Sequence, residues 1–345
     1  MLIDNAFAKT VSRREFLRKS AQAALAIGGG LTFSTLTSGC ATVTFKEEAP
    51  VIYPPLKGHK VQPPKGSCMF GIRTLYNTMN RRALDIPHPH DNKTFIDYFT
   101  KELDQKPAIW AIQEGVGRHR ELFPIAREAA SKEVIPFIYI GWPPISVLQE
   151  DDFHLRRMAK IVREFGEQHG GFFINSMWEM NMESEWPWCG SPEEFKKAWR
   201  EIWNIFEDAG ANEYATWVIE YQIDWYLKGY YPGDDYVDWI GLSGYNQPIE
   251  IKYRGYRQLN TIITSAYRYF REKHPNKPLM LAEFGTTRTD QPKWLLRAFR
   301  TIKSYSGIKA AIYWDNVNFR YGSDHTLSEE GIRQLKEILK DPYFI

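Results

Sequence analysis

Phe172-Phe173-Ile174-Asn175-Ser176-Met177-Trp178 is a largely apolar run of strand length that delivers Glu179, and the amphipathic stretch from Pro192 to Ala209 follows it. The run reads as a buried strand feeding a helix. The same unit recurs along the chain. Eight candidate strands can be read: Met69 to Ile72, Ile109 to Gln113, Val134 to Ile140, Phe172 to Trp178, Tyr214 to Ile219, Val237 to Leu242, Leu279 to Ala282 and Ala310 to Trp314. Helical patterns alternate with them at Thr94 to Leu103, Leu122 to Lys132, Phe153 to His169, Pro192 to Ala209, Tyr256 to His274, Pro292 to Ser306 and Ser328 to Asp341.

Helix start signals support this reading. Ser191-Pro192-Glu193-Glu194 offers an N-cap, a proline at the first helical position and acidic residues in the first turn, and Ser328-Glu329-Glu330 does similar work for the last helix. Such alternation predicts a parallel sheet, and eight units favour an α/β protein of (β/α)8 barrel type in a single domain. An open nucleotide-binding sheet is disfavoured, because Gly71-Ile72-Arg73-Thr74-Leu75 follows the first strand where a Gly-rich phosphate loop would stand. The weakest link is Asp224 to Asp235, loop-like with room for only a short helix.

The amino terminus is of another kind. Ser12-Arg13-Arg14-Glu15-Phe16-Leu17-Arg18-Lys19, followed by the Ala/Gly-rich stretch Ala21 to Phe33, resembles a twin-arginine export signal. The apolar stretch is shorter than the about 20 residues a bilayer span requires. Leu36-Thr37-Ser38-Gly39-Cys40 is similar to a lipoprotein signal-peptidase site, although Thr37 stands where Leu is usual. Residues 1–39 are therefore expected to be removed, leaving Cys40 lipidated and the protein tied to a membrane in the cell envelope or periplasm; the alternative is ordinary cleavage without lipid. Residues 40–66, with Pro50, Pro54, Pro55, Pro63 and Pro64, read as an extended tether, and 67–345 as the folded domain.

Besides Cys40 only Cys68 and Cys189 remain, too few for a disulfide framework. The first 39 residues hold five Lys/Arg and two Asp/Glu, net +3, so a whole-chain charge of +2 becomes about −1 without them. Nucleic acid is a poor partner for such a surface. Aromatic residues make up 15% of the chain and include twelve Trp, more than a plain core requires; sugar rings offer apolar faces on which aromatics stack. His88 and His90 form the one His cluster, in a loop after the first strand, and no metal or cofactor is expected.

In a barrel of this type the site lies at the carboxyl ends of the strands. Those ends carry Arg73, Glu114, Trp142, Glu179, Glu220, Tyr245-Asn246, Glu283 and Trp314-Asp315-Asn316. Glu179 and Glu283 follow runs four and seven and lie 104 positions apart. Two carboxyls held across one sugar bond, roughly 5 Å apart, are what retaining glycoside hydrolysis requires.

At these residues the chain resembles glycoside hydrolase family 26, retaining (β/α)8 enzymes acting on β-mannans, mixed-linkage β-glucans and β-1,3-xylans. The likeness runs through Ala198-Trp199-Arg200, Phe206 to Asn212, Thr216-Trp217-Val218, Tyr231 to Gly241, Gly244-Tyr245-Asn246 and Leu281-Ala282-Glu283-Phe284-Gly285. The resemblance implies a retaining endo-β-glycanase of the envelope, with Glu179 as acid/base, Glu283 as nucleophile and Tyr245 hydrogen-bonded to Glu283. Trp314 would floor the cleaved sugar. Trp178, Asn181, Trp186, Trp188, Glu220 and Trp142 are further candidates to contact a polysaccharide or oligosaccharide, although Trp186 and Trp188 read equally well as a staple over the rim. Glu220 is also the competing carboxylate.

The pattern departs from the family at strand four, where Asn175-Ser176-Met177-Trp178-Glu179-Met180-Asn181-Met182 stands in place of Arg-x-x-His-Glu-Met-Asn-Gly. Trp217-Val218-Ile219-Glu220-Tyr221-Gln222 likewise replaces Trp-Val-Trp-Ser-Pro-Asn. Mannan specificity does not transfer across those changes. Two rivals follow from them: a lipoprotein that binds carbohydrate without cleaving it, and a barrel glycosidase of another family in the same clan.

Overall fold

The computed structural model describes residues 47–74, 93–113, 119–142, 152–182, 186–225, 227–246, 256–318 and 323–345. The export signal, Cys40, His88, His90 and Glu114 lie outside the described residues. Eight parallel strands close into a barrel in sequence order: β1 (Met69–Arg73), β2 (Ile109–Gln113), β3 (Ile135–Ile140), β4 (Phe172–Ser176), β5 (Ala215–Gln222), β6 (Trp239–Asn246), β7 (Leu279–Thr286) and β8 (Ile308–Trp314). Pairing of β1 with both β2 and β8 completes the ring. The strands are buried on both faces, so their sequences read as nearly continuous apolar runs.

The helices are α1 (Lys93–Leu103), α2 (His119–Ser131), α3 (Phe153–His169), α4 (Pro192–Asp208), α5 (Leu259–Lys273), α6 (Gln291–Ser304) and α7 (Glu329–Ile338). Each turns an apolar stripe to the barrel: α4 buries Phe195, Ala198, Trp199, Ile202, Ile205 and Phe206. Its start is a full capping box. Ser191 Oγ accepts from the Glu194 N–H, and the Glu194 carboxylate accepts from the Ser191 N–H at 3.0 Å. Among the described residues, β5 and β6 are joined without an α-helix, by a loop holding the 3₁₀ turn Asp234–Tyr236.

Two boundaries differ from the sequence reading, and both bear on the site. Strand β4 stops at Ser176, two residues before Trp178, because Met177 and Glu179 take left-handed backbone angles, φ 60° and 49°. Strands β5, β6 and β7 run three or four residues further than their apolar runs, to Gln222, Asn246 and Thr286. Glu220, Tyr245 and Glu283 therefore lie within strands rather than after them. A ladder of backbone hydrogen bonds continues through polar residues, whereas an apolar run ends at the first of them.

Residues 47–66 form no helix or strand, yet they lie against the barrel rather than standing off as a free tether. Tyr53 and Val61 are buried; the Tyr53 hydroxyl donates to the Gly307 carbonyl (3.0 Å) and the Val61 N–H to Thr216 Oγ1 (2.8 Å). Lys60 Nζ reaches both Asp238 oxygens at 3.0 and 2.8 Å. The chain passes so closely that a Cβ on Gly171 would sit 1.9 Å from the His59 carbonyl oxygen. The carboxyl terminus closes the same end of the molecule, where the Phe70 N–H donates to Ile345 O and the Ile345 N–H to Cys68 O. Cys68 and Cys189 are free thiols.

Candidate active site

The turn after β4 builds the first half of the site. With Met177 and Glu179 left-handed, at a cost on the order of 1 kcal/mol each, the chain folds back and the Glu179 N–H donates to the Glu220 carbonyl at 3.0 Å. Asn181 fixes this turn to the end of β5: its Nδ2 donates to Gln222 O (2.8 Å) and its Oδ1 accepts the Gln222 N–H (3.0 Å). Gln222, so held, donates from Nε2 to Glu179 Oε1 at 3.3 Å.

An irregularity in β7 builds the second half. Leu242 pairs with Leu281 but Ser243 with Glu283, so Ala282 is skipped, and the register with β8 shifts between Leu281 and Phe284. A bulge at this point re-aims the following side chain. Glu283 is 6% exposed and meets two partners, an ion pair from Arg73 at the end of β1 and a hydrogen bond donated by the Tyr245 hydroxyl of β6. The Arg73 guanidinium also lies over the Tyr139 ring, 4.5 Å from its centroid. Tyr245 stands edge-on to Trp314 and His325, at centroid distances of 5.4 and 5.5 Å.

Several residues expected to touch a sugar are committed to packing instead. Trp188 is fully buried and its indole N–H donates to the Trp178 carbonyl (2.8 Å), which makes it the rim staple. Trp142 is 2% exposed and donates to Ser176 Oγ at 2.6 Å. Trp178 is buried edge-on among Tyr139, Trp186 and Trp188, and Gly141 makes room for it: a Cβ there would lie 3.0 Å from Trp178 Cη2. Asn181 spends its amide on Gln222, and Glu220 is wholly buried with its carboxylate accepting from Asn175 and Ser243. In this structure these five side chains are engaged by protein groups, and for Trp188 that is the staple the sequence weighed equally with a sugar contact. Trp186, partly buried and stacked on Trp188, together with Tyr245, Trp314, Gln222, Glu179 and Glu283, keeps some open surface.

Arg73, Gln222 and Ser243 are the contributors that sequence reasoning missed as site residues. Arg73 carried a signal, a cation at a strand end among carboxylates. Gln222 and Ser243 lie past the points where their apolar runs stop.

The two glutamates differ in electrostatic setting. Burial, and then the Glu220 carboxylate, push Glu179 up to about 7, with Arg73, Trp186 and Gln222 pulling the other way. Glu283 has a guanidinium and a phenol donor at hand, both favouring its anion. Burial holds Tyr245 well above the usual phenol range, so it remains a donor. Burial also raises Asp315 to about 7 and lowers His325 to about 4, leaving that imidazole neutral. Among the described residues, no group of three or more His, Cys, Asp or Glu is placed to hold a metal ion.

Residues 152–274 match the family model of Glycosyl hydrolase family 26. Endoglucanase H of Acetivibrio thermocellus is 27% identical over 181 residues, 47% of this chain and 19% of that protein, so the chain spans about a fifth of the length of that curated relative. A β-mannanase from a symbiotic protist of the termite Reticulitermes speratus, solved with a gluco-manno-oligosaccharide, superposes with a TM-score of 0.57 at 15% identity, covering 87% of this chain and 98% of that one. A family 26 β-mannanase from Bacteroides ovatus gives 0.58 at 17% identity over 81% and 90% of the two chains. At such identities the structural likeness concerns the fold.

Proposed function

We propose that the chain is a member of glycosyl hydrolase family 26 and acts as a retaining endo-β-glycanase, with Glu179 as acid/base and Glu283 as nucleophile. The observation that carries this reading is the divergence of the two buried carboxyl environments: one beside the Glu220 carboxylate and raised to about 7, the other paired with Arg73 and Tyr245. In the first step a Glu283 oxygen attacks the anomeric carbon while Glu179 gives its proton to the departing glycosidic oxygen, so one C–O bond forms as another breaks. In the second, Glu179, now a carboxylate, takes a proton from water, whose oxygen displaces Glu283 and frees the sugar. Tyr245 and Arg73 hold Glu283 ionised for attack and accept its charge back on release.

The substrate class proposed is a β-linked polysaccharide: a mannan, β-glucan, xylan or exopolysaccharide. Trp314 and Trp186 are the rings with surface to offer it. Incubation with a panel of β-glycans, read by new reducing ends, is expected to show release from at least one, and a fluorinated mechanism-based glycoside is expected to label Glu283. No release together with no labelling would refute the assignment. The carbohydrate-binding alternative is favoured by Asn175 and Trp178, which replace the family's Arg and His beside Glu179; binding without labelling is its signature.

Export belongs to the same proposal. Loss of residues 1–39 and acylation of Cys40 would tether the domain to a membrane of the envelope, and the mass of the mature amino-terminal peptide tests it. An unmodified terminus would remove the anchor from the proposal.

A further inference from the structure

Glu220 is a carboxylate that the mechanism above does not use, and nothing in its setting lets it touch a substrate. It is fully buried inside β5, beneath the turn that carries Glu179. Its two oxygens are each taken by a neutral donor, Ser243 Oγ on Oε1 and Asn175 Nδ2 on Oε2, while its own backbone carbonyl accepts the Glu179 N–H. Charged and titratable groups face it from all around the barrel: Arg73 from β1, Tyr139 from β3, Glu179 from the turn after β4 and Tyr245 from β6. Arg73 is already engaged by Glu283 of β7, and the Cys189 thiol donates to the Glu179 carbonyl at 4.0 Å.

This arrangement contains three carboxyls and one guanidinium. Glu283 takes the guanidinium. Glu179 and Glu220 then compete for whatever negative charge the pocket still tolerates, since two buried anions close together cannot both be held without another cation. Glu220 has Ser243, Asn175 and Tyr139 as side-chain donors, whereas Glu179 has Trp186 and, at the longer distance of 3.3 Å, Gln222. The anion therefore settles on Glu220 and the proton on Glu179.

We propose that Glu220 is a positioning residue that acts by charge: clamped as an anion by Asn175 and Ser243, it keeps on Glu179 the proton needed for the acid role assigned above. The inference rests on that assignment for its purpose but not for its physics. Burial raises both carboxyls, Ser243, Arg73, Tyr139 and Asn175 offset it at Glu220, and Glu220 is the largest charge opposing ionisation of Glu179.

The test is a titration of Glu179 that needs no turnover. Stability of wild type and E179Q is measured across pH 4–9, and the pH at which their difference stops growing marks the Glu179 midpoint in the folded protein. The same pair is then built on E220Q. The midpoint is expected to fall from about 7 by on the order of one pH unit. Asn175→Leu, which removes a donor to Glu220 and leaves the carboxyl in place, is expected to move it in the same direction. A merely structural Glu220 predicts lower stability for these variants with the midpoint unchanged, and that result in either folded background overturns the inference. In an active enzyme the alkaline limb of kcat/KM moves down with the midpoint. If no β-glycan is cleaved and the midpoint still falls, the glycanase reading fails and this one stands. If cleavage is normal and the midpoint does not move, this inference alone fails.

Discussion

Replacing Glu179 with Gln should make the protein more stable, and the gain should depend on pH. In the folded state the Glu179 carboxyl is raised from 4.5 to about 7, chiefly by burial. The sign follows directly: a group whose folded pKa exceeds its unfolded value contributes stability that is present below the unfolded pKa and lost as pH rises through the folded one. Between pH 4.5 and 7 the folded protein binds the proton that the unfolded chain has released. The shift of 4.5 to about 7, at 1.36 kcal/mol per unit, corresponds to roughly 3 kcal/mol that ionised Glu179 costs above pH 7.

Gln has the same shape, carries no charge at any pH and can still accept from Gln222 Nε2 through its amide oxygen. E179Q should therefore match wild type near pH 4.5 and exceed it by up to about 3 kcal/mol at pH 8. For a domain of this size that is a rise in Tm on the order of 5–10 °C. Asp315, also raised to about 7, titrates in both proteins and drops out of the difference. Urea unfolding at intervals from pH 4 to 9 measures the effect. A stability difference that is flat across that range, or greatest at acid pH, would refute the electrostatic account of the site. Catalysis should move oppositely, with a loss of about 10²- to 10⁴-fold on substrates whose leaving group needs protonation.

Arg73→Met should cost about 3–5 kcal/mol by thermal or urea unfolding, because it leaves Glu283 as a buried charge without its cation. Tyr245→Phe keeps the ring against Trp314 and His325 but removes the donor to Glu283; kcat should fall about 10- to 100-fold with a small change in Tm. Trp188→Ala should destabilise by about 3–5 kcal/mol, since a fully buried indole and its bond to the Trp178 carbonyl are lost together. A chain starting at residue 67 should melt at lower temperature than one starting at residue 47, because it lacks the buried Tyr53 and Val61 and the Lys60–Asp238 pair; equal melting temperatures would show that the strap adds nothing to the barrel.

The barrel was legible because a strand buried on both faces leaves an unmistakable trace, as in the β3 sequence Ile-Pro-Phe-Ile-Tyr-Ile, and the amphipathic stretches between such runs mark the helices. The pair Glu179 and Glu283 could be picked out because each follows an apolar run, although β7 continues past Glu283 to Thr286. What surrounds them could not be. Asn175, Ser243 and Gln222 act through a ladder register, and register is a relation between strands far apart in the chain. The left-handed turn at Met177 and Glu179 left no glycine to announce it, and the bulge at Ala282 has no signature in the run Leu-Met-Leu-Ala-Glu. Twelve Trp advertised sugar stacking, yet Trp142, Trp178 and Trp188 are all buried, because indoles fill the layer between strand ends and rim as readily as they face a ligand.

The substitutions that separate this chain from the family 26 motif are coupled through charge. Asn175 stands where the motif has Arg, Trp178 where it has His, and Glu220 where it has Ser. Two groups able to carry positive charge are absent and one carboxyl is added, all in side chains on the Glu179 turn or touching its neighbours. Left alone, these changes would burden the pocket with unpaired negative charge. The structure pairs two of the changes with each other, Asn175 donating to Glu220, and packs the third, Trp178, edge-on against Tyr139. The added Glu220 carboxylate raises the cost of ionising Glu179, while Arg73 and Tyr245 remain in contact with Glu283. On the proposed roles, the altered motif keeps the two carboxyls in different settings by a different distribution of charge, Glu179 beside the Glu220 carboxylate and Glu283 beside Arg73 and Tyr245.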